Sequence, residues 1–200
     1  MKRYTFLYRV GFTPWERYGT AAAGSVRALL DRELADRDGP PGRALDLGCG
    51  RGQYTTELTR RGWEVVGIDH VPRAIDAAQR RHVSGARFVV ADVTDLAAAG
   101  LGTFDFFLDV GCFQHLNAAQ RAAEGRGVSA LANPGATMLM LEFGPTRIRQ
   151  LVGGVSRSEV ETAFPGWQML SVEPAQTEGL GWPLTKTDPQ WYRLQTAPGT

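Results

Sequence analysis

The chain has 200 residues, of which 43% are hydrophobic and 22% are charged, enough for one globular domain with a proper core. Its 22 Lys and Arg nearly cancel its 21 Asp and Glu, leaving a formal charge of +1. This balance gives no electrostatic reason to expect a nucleic-acid partner or an anionic membrane surface. The two cysteines do not suggest a disulfide framework, and neither a membrane-spanning run nor a signal-peptide hydrophobic region stands out. The composition therefore predicts a cytoplasmic protein.

Apolar periodicity predicts that helices and strands alternate along most of the chain. A first helix is expected over residues 21–36 and ends at the Gly- and Pro-rich residues 38–42. Strands are then predicted over 44–47, 64–69, 86–91, 104–109 and 136–143, with helices over 53–61, 72–81 and 118–131 between them. The strands are almost continuously apolar, which is typical of a parallel sheet with helices on both faces.

The pattern changes after residue 144. Residues 156–159 (Ser-Arg-Ser-Glu) have the form of a capping box and predict a short helix. Residues 167–172 and 191–196 are expected to form a closing antiparallel strand pair, joined by a loop over 173–190. The predicted fold is therefore α/β: a Rossmann-like, doubly wound, seven-stranded and mostly parallel sheet with an antiparallel C-terminal pair. We expect a single domain over residues 1–200.

A glycine-rich loop follows the first predicted strand. The strand over residues 44–47 contains Asp46 and continues directly into Gly48, Cys49, Gly50, Arg51 and Gly52. Closely spaced glycines let the backbone approach a ligand and direct a helix N-terminus towards it. Dinucleotide-binding loops instead have the spacing G-x-G-x-x-G, so this loop favours a different ligand.

Two further carboxylates follow neighbouring strands. Asp69 ends the second predicted strand, where it can accept hydrogen bonds from both ribose hydroxyls. Asp92 follows the third strand, where it can accept from an adenine amino group. Ligands of open parallel sheets bind outside the carboxyl ends of the strands. We therefore expect Asp46, Asp69 and Asp92 to converge on one crevice.

The order of these motifs resembles that of class I methyltransferases, which use S-adenosylmethionine. The likeness covers about residues 43–143 and rests on residues 45–50 (Leu-Asp-Leu-Gly-Cys-Gly), 65–69 (Val-Val-Gly-Ile-Asp), 91–93 (Ala-Asp-Val), 104–109 (Phe-Asp-Phe-Phe-Leu-Asp) and 134–136 (Pro-Gly-Ala). It implies that S-adenosylmethionine is the cofactor and S-adenosylhomocysteine the product. The remaining residues would form an N-terminal lid over 1–20 and a substrate-side segment over 144–200.

The resemblance implies a role for each matched residue. Gly48 and Gly50 would pass under the methionine part of the cofactor, and Asp46 would hold its ammonium group. Asp69 would bind the ribose and Asp92 the adenine. The end of the fourth strand would form the floor beneath the sulfonium. The other expected cofactor-binding residues are Cys49, His70, Val93, Asp109 and Trp15.

Residues 111–115 (Gly-Cys-Phe-Gln-His) follow the fourth strand, where this family commonly places acceptor-facing residues. His115 is the best candidate for a general base, and a helix-capping histidine is an equally good interpretation. Glu142 is a second possible base, although a structural hydrogen-bonding role is the preferred interpretation for it. The expected substrate-binding residues are Tyr18, Phe113, Gln114, Glu142 and Trp182, and no metal is expected. Residues 110–113 lack the Asn/Asp-Pro-Pro-Tyr pattern of enzymes that methylate the exocyclic amines of bases, which argues against a nucleic-acid substrate.

Residues 1–20 carry six aromatic side chains. With Phe12 to Trp15 before the first helix, the layout bears a looser likeness to the thiopurine S-methyltransferase and tellurite-resistance group. This likeness suggests an aromatic lid over residues 4–18, with Trp15 and Tyr18 near the methyl group and Trp182 closing the pocket from the other side. Aromatic packing of the terminus onto the sheet is the competing interpretation.

The sequence thus predicts a small-molecule methyltransferase that acts on a sulfur, oxygen or nitrogen acceptor, without a nucleic-acid or membrane partner. Two alternatives remain open. A protein that binds S-adenosylmethionine without catalysis would have the same loop. A nicotinamide-dependent oxidoreductase is disfavoured by the glycine spacing and by the position of Asp92. The sequence predicts no oligomeric state and does not identify the acceptor.

Overall fold

The computed structural model describes residues 23–37, 39–146, 153–177 and 186–198. The strands are β1 (Arg43–Leu47), β2 (Glu64–Asp69), β3 (Ala86–Val90), β4 (Phe104–Val110), β5 (Ala132–Glu142), β6 (Trp167–Pro174) and β7 (Gln190–Thr196). The helices are α1 (Ala23–Ala35), α2 (Gln53–Thr59), α3 (Pro72–Gln79), α4 (Ala118–Leu131) and α5 (Arg157–Ala163). Two short 3-10 turns cover Leu96–Ala99 and Phe113–His115. In the part of the chain so described, no helix combines the length and the apolar character that a membrane span requires.

All seven strands join one sheet in the order β3-β2-β1-β4-β5-β7-β6. The first five strands pair with one another in parallel, and β7 is antiparallel to both β5 and β6. The strand order reverses between β1 and β4, and such a switch point opens a crevice at the carboxyl ends of the strands. The predicted fold class is confirmed.

Hydrophobic cores lie on both faces of the sheet. On one face, Leu45 and Phe107 pack with Phe113 and Phe164. On the other face, α1 contributes Val26 and Leu30, which pack among residues that include Trp63 and Phe106. Phe106 and Phe107 are adjacent in β4 and point to opposite faces, as the two-residue period of a strand requires. Coverage on both sides explains why the central strands are apolar almost throughout.

The main difference from the predicted elements lies between α4 and β5. The sequence predicts that a helix ends at 131 and that the next strand begins at 136, but β5 already begins at Ala132 and includes Asn133, Pro134 and Gly135. Ala132 pairs with Phe104, and the register then shifts before Thr137 pairs with Phe106. These turn-forming residues lie within the strand, where they form an irregularity in the pairing with β4. An alternation of apolar and polar residues does not predict such an irregularity.

The C-terminal strand β6 is longer than predicted, because it continues to Pro174 instead of ending at residue 172. It lies at the edge of the sheet, where the missing N–H of proline removes no ladder hydrogen bond. The ends of α2 and α3 each lie two residues before the predicted ends at 61 and 81. The predicted capping box is present: the Ser156 hydroxyl accepts from the Glu159 N–H, and the Glu159 carboxylate accepts from the Ser156 N–H.

Gly125 permits a close approach between α4 and α5. A Cβ atom at this position would lie 1.8 Å from the carbonyl oxygen of Ala163. We expect Gly125→Ala to lower the free energy of unfolding by about 2 kcal/mol, because overpacking outweighs the better helix propensity of alanine. Chemical denaturation measures the change. The matched control is Gly24→Ala in α1, where nothing lies within 4 Å of the added Cβ; it should leave stability unchanged or raise it, by up to about 1 kcal/mol. Equal changes in the two variants would contradict this packing.

Candidate functional site

The glycine loop between β1 and α2 uses glycine at every second position because its backbone is left-handed there. The φ angles of Gly48, Gly50 and Gly52 are 66°, 54° and 75°. The intervening Cys49 donates its N–H to the carbonyl oxygen of Ile68 at 2.8 Å, which fixes the loop to the end of β2. The loop therefore exposes backbone without side chains at the carboxyl end of the central strand.

Asp69 connects the end of β2 to this loop. Its Oδ2 accepts the N–H of Gly50 at 3.0 Å, and its Oδ1 accepts the N–H of Val71 at 2.8 Å. Burial raises the pKa of the carboxyl group, although both hydrogen bonds and the neighbouring His70 oppose this shift. Each carboxylate oxygen keeps further acceptor capacity. His70 lies beside the carboxylate, with Nδ1 3.8 Å from Asp69 Oδ1.

Asp46 lies within β1 and is only 2% exposed. Its Oδ2 accepts a hydrogen bond from the hydroxyl of Thr55, in the first turn of α2, at 2.5 Å. Burial, together with the charges of Asp109 and Asp69, raises the pKa of Asp46 to about 7 against the opposing hydrogen bonds from Thr55. The carboxyl group therefore lies beneath the loop, close to the other acids of this strand edge. Sequence reasoning missed Thr55, because a single threonine in a short helix carries no motif.

Asp92 belongs to the same region. Its Oδ1 accepts the N–H of Thr94 at 2.9 Å and the hydroxyl of Thr94 at 2.7 Å, and the residue is half-buried. The neighbouring Val93 is 7% exposed and packs in the core. The charge of Asp92 contributes to the raised pKa of Glu124, a residue that also interacts with Asp109. Asp46, Asp69 and Asp92 thus lie at or just after the carboxyl ends of three neighbouring strands. Their convergence on one ligand stays a prediction.

Asp109 ends the buried part of β4 and holds the segment that follows. Its Oδ1 accepts the N–H of Cys112 at 2.7 Å, and its Oδ2 accepts the N–H of Phe113 at 3.1 Å. A Cβ atom on Gly48 would lie 3.0 Å from the Cβ of Cys112. The segment after β4 is therefore packed directly against the glycine loop, and Asp109 anchors it there.

Most of the predicted acceptor-side residues are packed inside the protein. Phe113 is fully buried against Phe164, with ring centroids 5.7 Å apart. Gln114 is 6% exposed, and its side-chain Oε1 accepts the N–H of Phe143 at 2.5 Å. Glu142 is fully buried, and its Oε2 accepts the N–H of Gln114 at 2.9 Å. His115 is exposed, and its Nε2 lies 3.3 Å from the side-chain nitrogen of Gln114.

Arg121, which the sequence did not single out, holds this side of the site together. Its guanidinium donates to the carbonyl oxygens of Phe113, Gln114 and Gly154 and to the carboxylate of Glu159. A cavity of about 310 Å³ adjoins it. The cavity is lined by Gln114, Leu116, Asn117, Ala118, Arg121, Gly153, Gly154 and Glu159. The only signal in the sequence was helical spacing, because Arg121 lies on the same buried stripe of α4 as Val128.

Three predicted residues lie outside the described part of the chain: Trp15, Tyr18 and Trp182. The aromatic lid over residues 4–18 and the closing role of Trp182 are therefore predictions that the geometry does not test.

Comparisons with known proteins give a matching family and several relatives. Residues 44–135 match a family described as a methyltransferase domain. The magnesium-protoporphyrin O-methyltransferase of Rhodobacter capsulatus is 41% identical over 83 residues, which cover 41% of this chain and 37% of that protein. The 2-heptyl-1-hydroxyquinolin-4(1H)-one methyltransferase of Mycobacteroides abscessus is 28% identical over 68% of this chain and 63% of that protein. A 23S rRNA (uracil-C5)-methyltransferase of Alkalilimnicola ehrlichii also matches, with 41% identity over 46% of this chain and 21% of that protein.

Solved structures share the fold. The magnesium protoporphyrin IX methyltransferase of Synechocystis PCC 6803 with bound S-adenosylhomocysteine superposes with a TM-score of 0.73 at 15% identity, covering 96% of each chain. The family match and the shared fold support the resemblance to class I S-adenosylmethionine-dependent methyltransferases. The chain spans less than two thirds of the length of the curated relatives it matches. The looser likeness to the thiopurine and tellurite group stays a prediction.

Proposed function

We propose that this chain binds S-adenosylmethionine and transfers its methyl group to a heteroatom of a small molecule. The observation that carries the proposal is the glycine loop with three left-handed glycines, whose Gly50 N–H is held by the Asp69 carboxylate. This arrangement leaves an open stretch of backbone beside an acid with free acceptor capacity. Such a pair suits a ligand that carries both a ribose and a positively charged chain.

The residues at the carboxyl ends of the strands would each bind a different part of S-adenosylmethionine. Gly48 and Gly50 would pass under the methionine part, and Asp46 would act on the ammonium group from beneath the loop. Asp69 would accept from the ribose hydroxyls, and Asp92 would accept from the adenine amino group beside Val93. Asp109 and the segment it anchors would form the floor. Cys49 and His70 would border the adenosine. S-adenosylmethionine supplies an already activated methyl group, so the chain's main tasks are to orient the reactants and to exclude water.

A protonated acceptor needs a group that removes its proton. His115 supports this role, because it is exposed at the end of the segment held by Asp109 and Arg121, whereas Glu142 is buried. We propose His115 as the general base. Phe113 and Gln114 would then act by holding this segment in place.

We expect His115→Gln to lower kcat by about 100-fold at neutral pH for an acceptor that must lose a proton, the lower range of general-base catalysis. Affinity for S-adenosylhomocysteine should stay unchanged, because the ring is not part of the proposed cofactor contacts. Steady-state kinetics and calorimetric titration measure the two quantities. An unchanged kcat would remove the base assignment and favour the capping interpretation of this histidine.

The acceptor that we propose is compact and partly aromatic, and presents a thiol, hydroxyl or ring nitrogen. The support is the near-neutral charge of the chain and the small-molecule substrates named for two of the matched relatives. The experiment is methyl transfer from labelled S-adenosylmethionine to a panel of hydroxyquinolones, phenols, thiols and ribosomal RNA. Label in RNA alone would contradict the small-molecule proposal. The cytoplasmic location and the aromatic lid stay predictions from the sequence.

A further inference from the structure

Three buried carboxyl groups interact beside the segment that follows β4. Asp109 comes from β4, Glu142 from β5 and Glu124 from the middle of α4, and all three are 0% exposed. The nearest cation that acts on Glu124 is Arg121, and that guanidinium also donates to three carbonyl oxygens and to Glu159. Three ionised carboxylates at such a position would be very costly, because buried charges need partners. Some of the negative charge must therefore be neutralised.

The hydrogen bonds of the cluster indicate where protons reside. An oxygen of Glu124 lies within 4.8 Å of an oxygen of Asp109. Side-chain hydrogen bonds with Asp109 act on both Glu124 and Glu142. Within the described residues, neither oxygen of Glu124 nor Oε1 of Glu142 receives an N–H or O–H donor. Ionised carboxylates only accept, so each contact is a hydrogen bond only if one partner carries a proton. Asp109 already accepts two backbone N–H groups, which identifies it as the ionised member.

We propose that Glu124 and Glu142 are protonated acids that donate to an ionised Asp109, and that Glu124 is a positioning residue for the segment after β4. With both donors, Asp109 accepts four hydrogen bonds, two from glutamic acids and two from the N–H groups of Cys112 and Phe113. Its orientation fixes Cys112 against Gly48. Glu124 thus acts on the glycine loop through Asp109, and this consequence for cofactor binding rests on the proposed function.

The surroundings of the cluster favour this distribution of protons. Burial raises the pKa of Glu124 and of Glu142 well above 4.5, and the charge of Asp109 raises both further. The pKa of Asp109 rises only to about 6, because hydrogen bonds from both glutamic acids and from the backbone oppose burial. Three other groups face the cluster. Arg121 lowers the pKa of Glu124, and the charge of Asp92 raises it. Burial raises the pKa of the Cys112 thiol, and the charges of the three carboxyl groups raise it further.

A divalent cation is the competing way to neutralise the cluster. Asp109, Cys112 and Glu124 each bring one possible ligand atom within 4.8 Å of the others. We favour protons because side-chain hydrogen bonds join Asp109 to Glu124 and to Glu142, and a hydrogen bond between two carboxyl groups requires a proton on one of them. The two hypotheses can be distinguished by metal analysis, because only the divalent-cation hypothesis predicts metal bound to the purified protein.

The test compares the wild-type protein with Glu124→Gln, Glu124→Leu and the control Arg126→Gln, an exposed position on the same helix. Glutamine donates a hydrogen bond but does not titrate, and leucine does neither. Infrared spectra at neutral pH should show the carbonyl stretch of protonated carboxyl groups in the wild type and the control, and a weaker band in both Glu124 variants. Affinity for S-adenosylhomocysteine should fall at least about tenfold in Glu124→Leu and change less than about twofold in Glu124→Gln.

The pH dependence of stability gives a second readout that needs no cofactor. An acid whose folded pKa is raised stabilises the fold fully below its unfolded pKa and loses this contribution as the pH rises through the folded value. The melting temperature of the wild type should therefore fall more steeply towards alkaline pH than that of Glu124→Gln. Equal slopes would contradict the proposal.

Other outcomes distinguish a failure of the protonation proposal from a failure of the proposed function. A wild-type spectrum without the protonated-carboxyl band at neutral pH would overturn the proposal, even if Glu124→Leu failed to fold. So would one divalent metal per chain that Cys112→Ser removes. Unchanged affinity in Glu124→Leu would overturn the positioning role. Lack of binding by the wild type would instead refute the proposed function, while the infrared and stability results would still decide the protonation of the cluster.

Discussion

Asp69→Ala should weaken the binding of S-adenosylhomocysteine by about 100-fold or more, because hydrogen bonds to a charged acceptor contribute about 1.5–3 kcal/mol each. The substitution removes the proposed acceptor of two ribose hydroxyls. It also removes the partner of the Gly50 and Val71 N–H groups, which hold the glycine loop to the end of β2. Isothermal titration calorimetry measures the loss, at a temperature where the variant is folded.

The control for this prediction is Asp76→Ala. Asp76 is an exposed acid on α3, the helix that follows Asp69, so its removal changes the net charge equally without touching the loop. Its affinity should stay within about twofold of the wild type, as expected for a solvated charge. If Asp69→Ala also bound normally, the ribose assignment would be wrong.

Gly48→Ala should abolish measurable cofactor binding. The φ angle of 66° costs an L-residue about 1–2 kcal/mol. The new Cβ would also lie 3.0 Å from the Cβ of Cys112 and 3.1 Å from its Sγ, so the loop and the segment behind it must separate. The proposed binding surface is formed by these two parts of the chain. Titration with S-adenosylhomocysteine, with circular dichroism to confirm folding, measures the result.

Gly100→Ala is the matched control, because it separates backbone strain from the contact. Gly100 has a similar φ angle of 58°, but nothing lies within 4 Å of an added Cβ. This variant should lose about 1 kcal/mol of stability and keep full affinity. Loss of binding in both variants to the same extent would mean that general destabilisation, and not the loop, explains the effect.

The layered sheet could be predicted because its signals are local. Runs such as residues 64–69 are too apolar for a strand with one solvent-exposed face. The capping box formed by Ser156 and Glu159 determines where α5 begins. The start of β5 could not be predicted in the same way. Asn133, Pro134 and Gly135 are turn-forming residues by every local rule, and only pairing with β4 keeps them in the strand.

The site divides in the same way. The glycine spacing and the acids at strand ends are local patterns, and the structure brings Asp46, Asp69 and Asp92 to one edge. Whether a side chain there faces solvent depends on packing that the sequence does not show. Gln114 and Glu142 were predicted to contact substrate, yet both are buried. The Glu142 carboxylate accepts the N–H of Gln114, and the Gln114 side chain accepts the N–H of Phe143. Glu124 gave no signal beyond its place on the buried stripe of α4.

The central claim is that the loop at residues 48–52 binds a nucleoside attached to an amino acid. Its most direct test is calorimetric titration of the unmodified protein with S-adenosylhomocysteine and, in parallel, with NAD. We expect one S-adenosylhomocysteine molecule per chain with a dissociation constant in the micromolar range, and no heat from NAD. Binding of NAD, or no detectable binding of S-adenosylhomocysteine, would contradict the account.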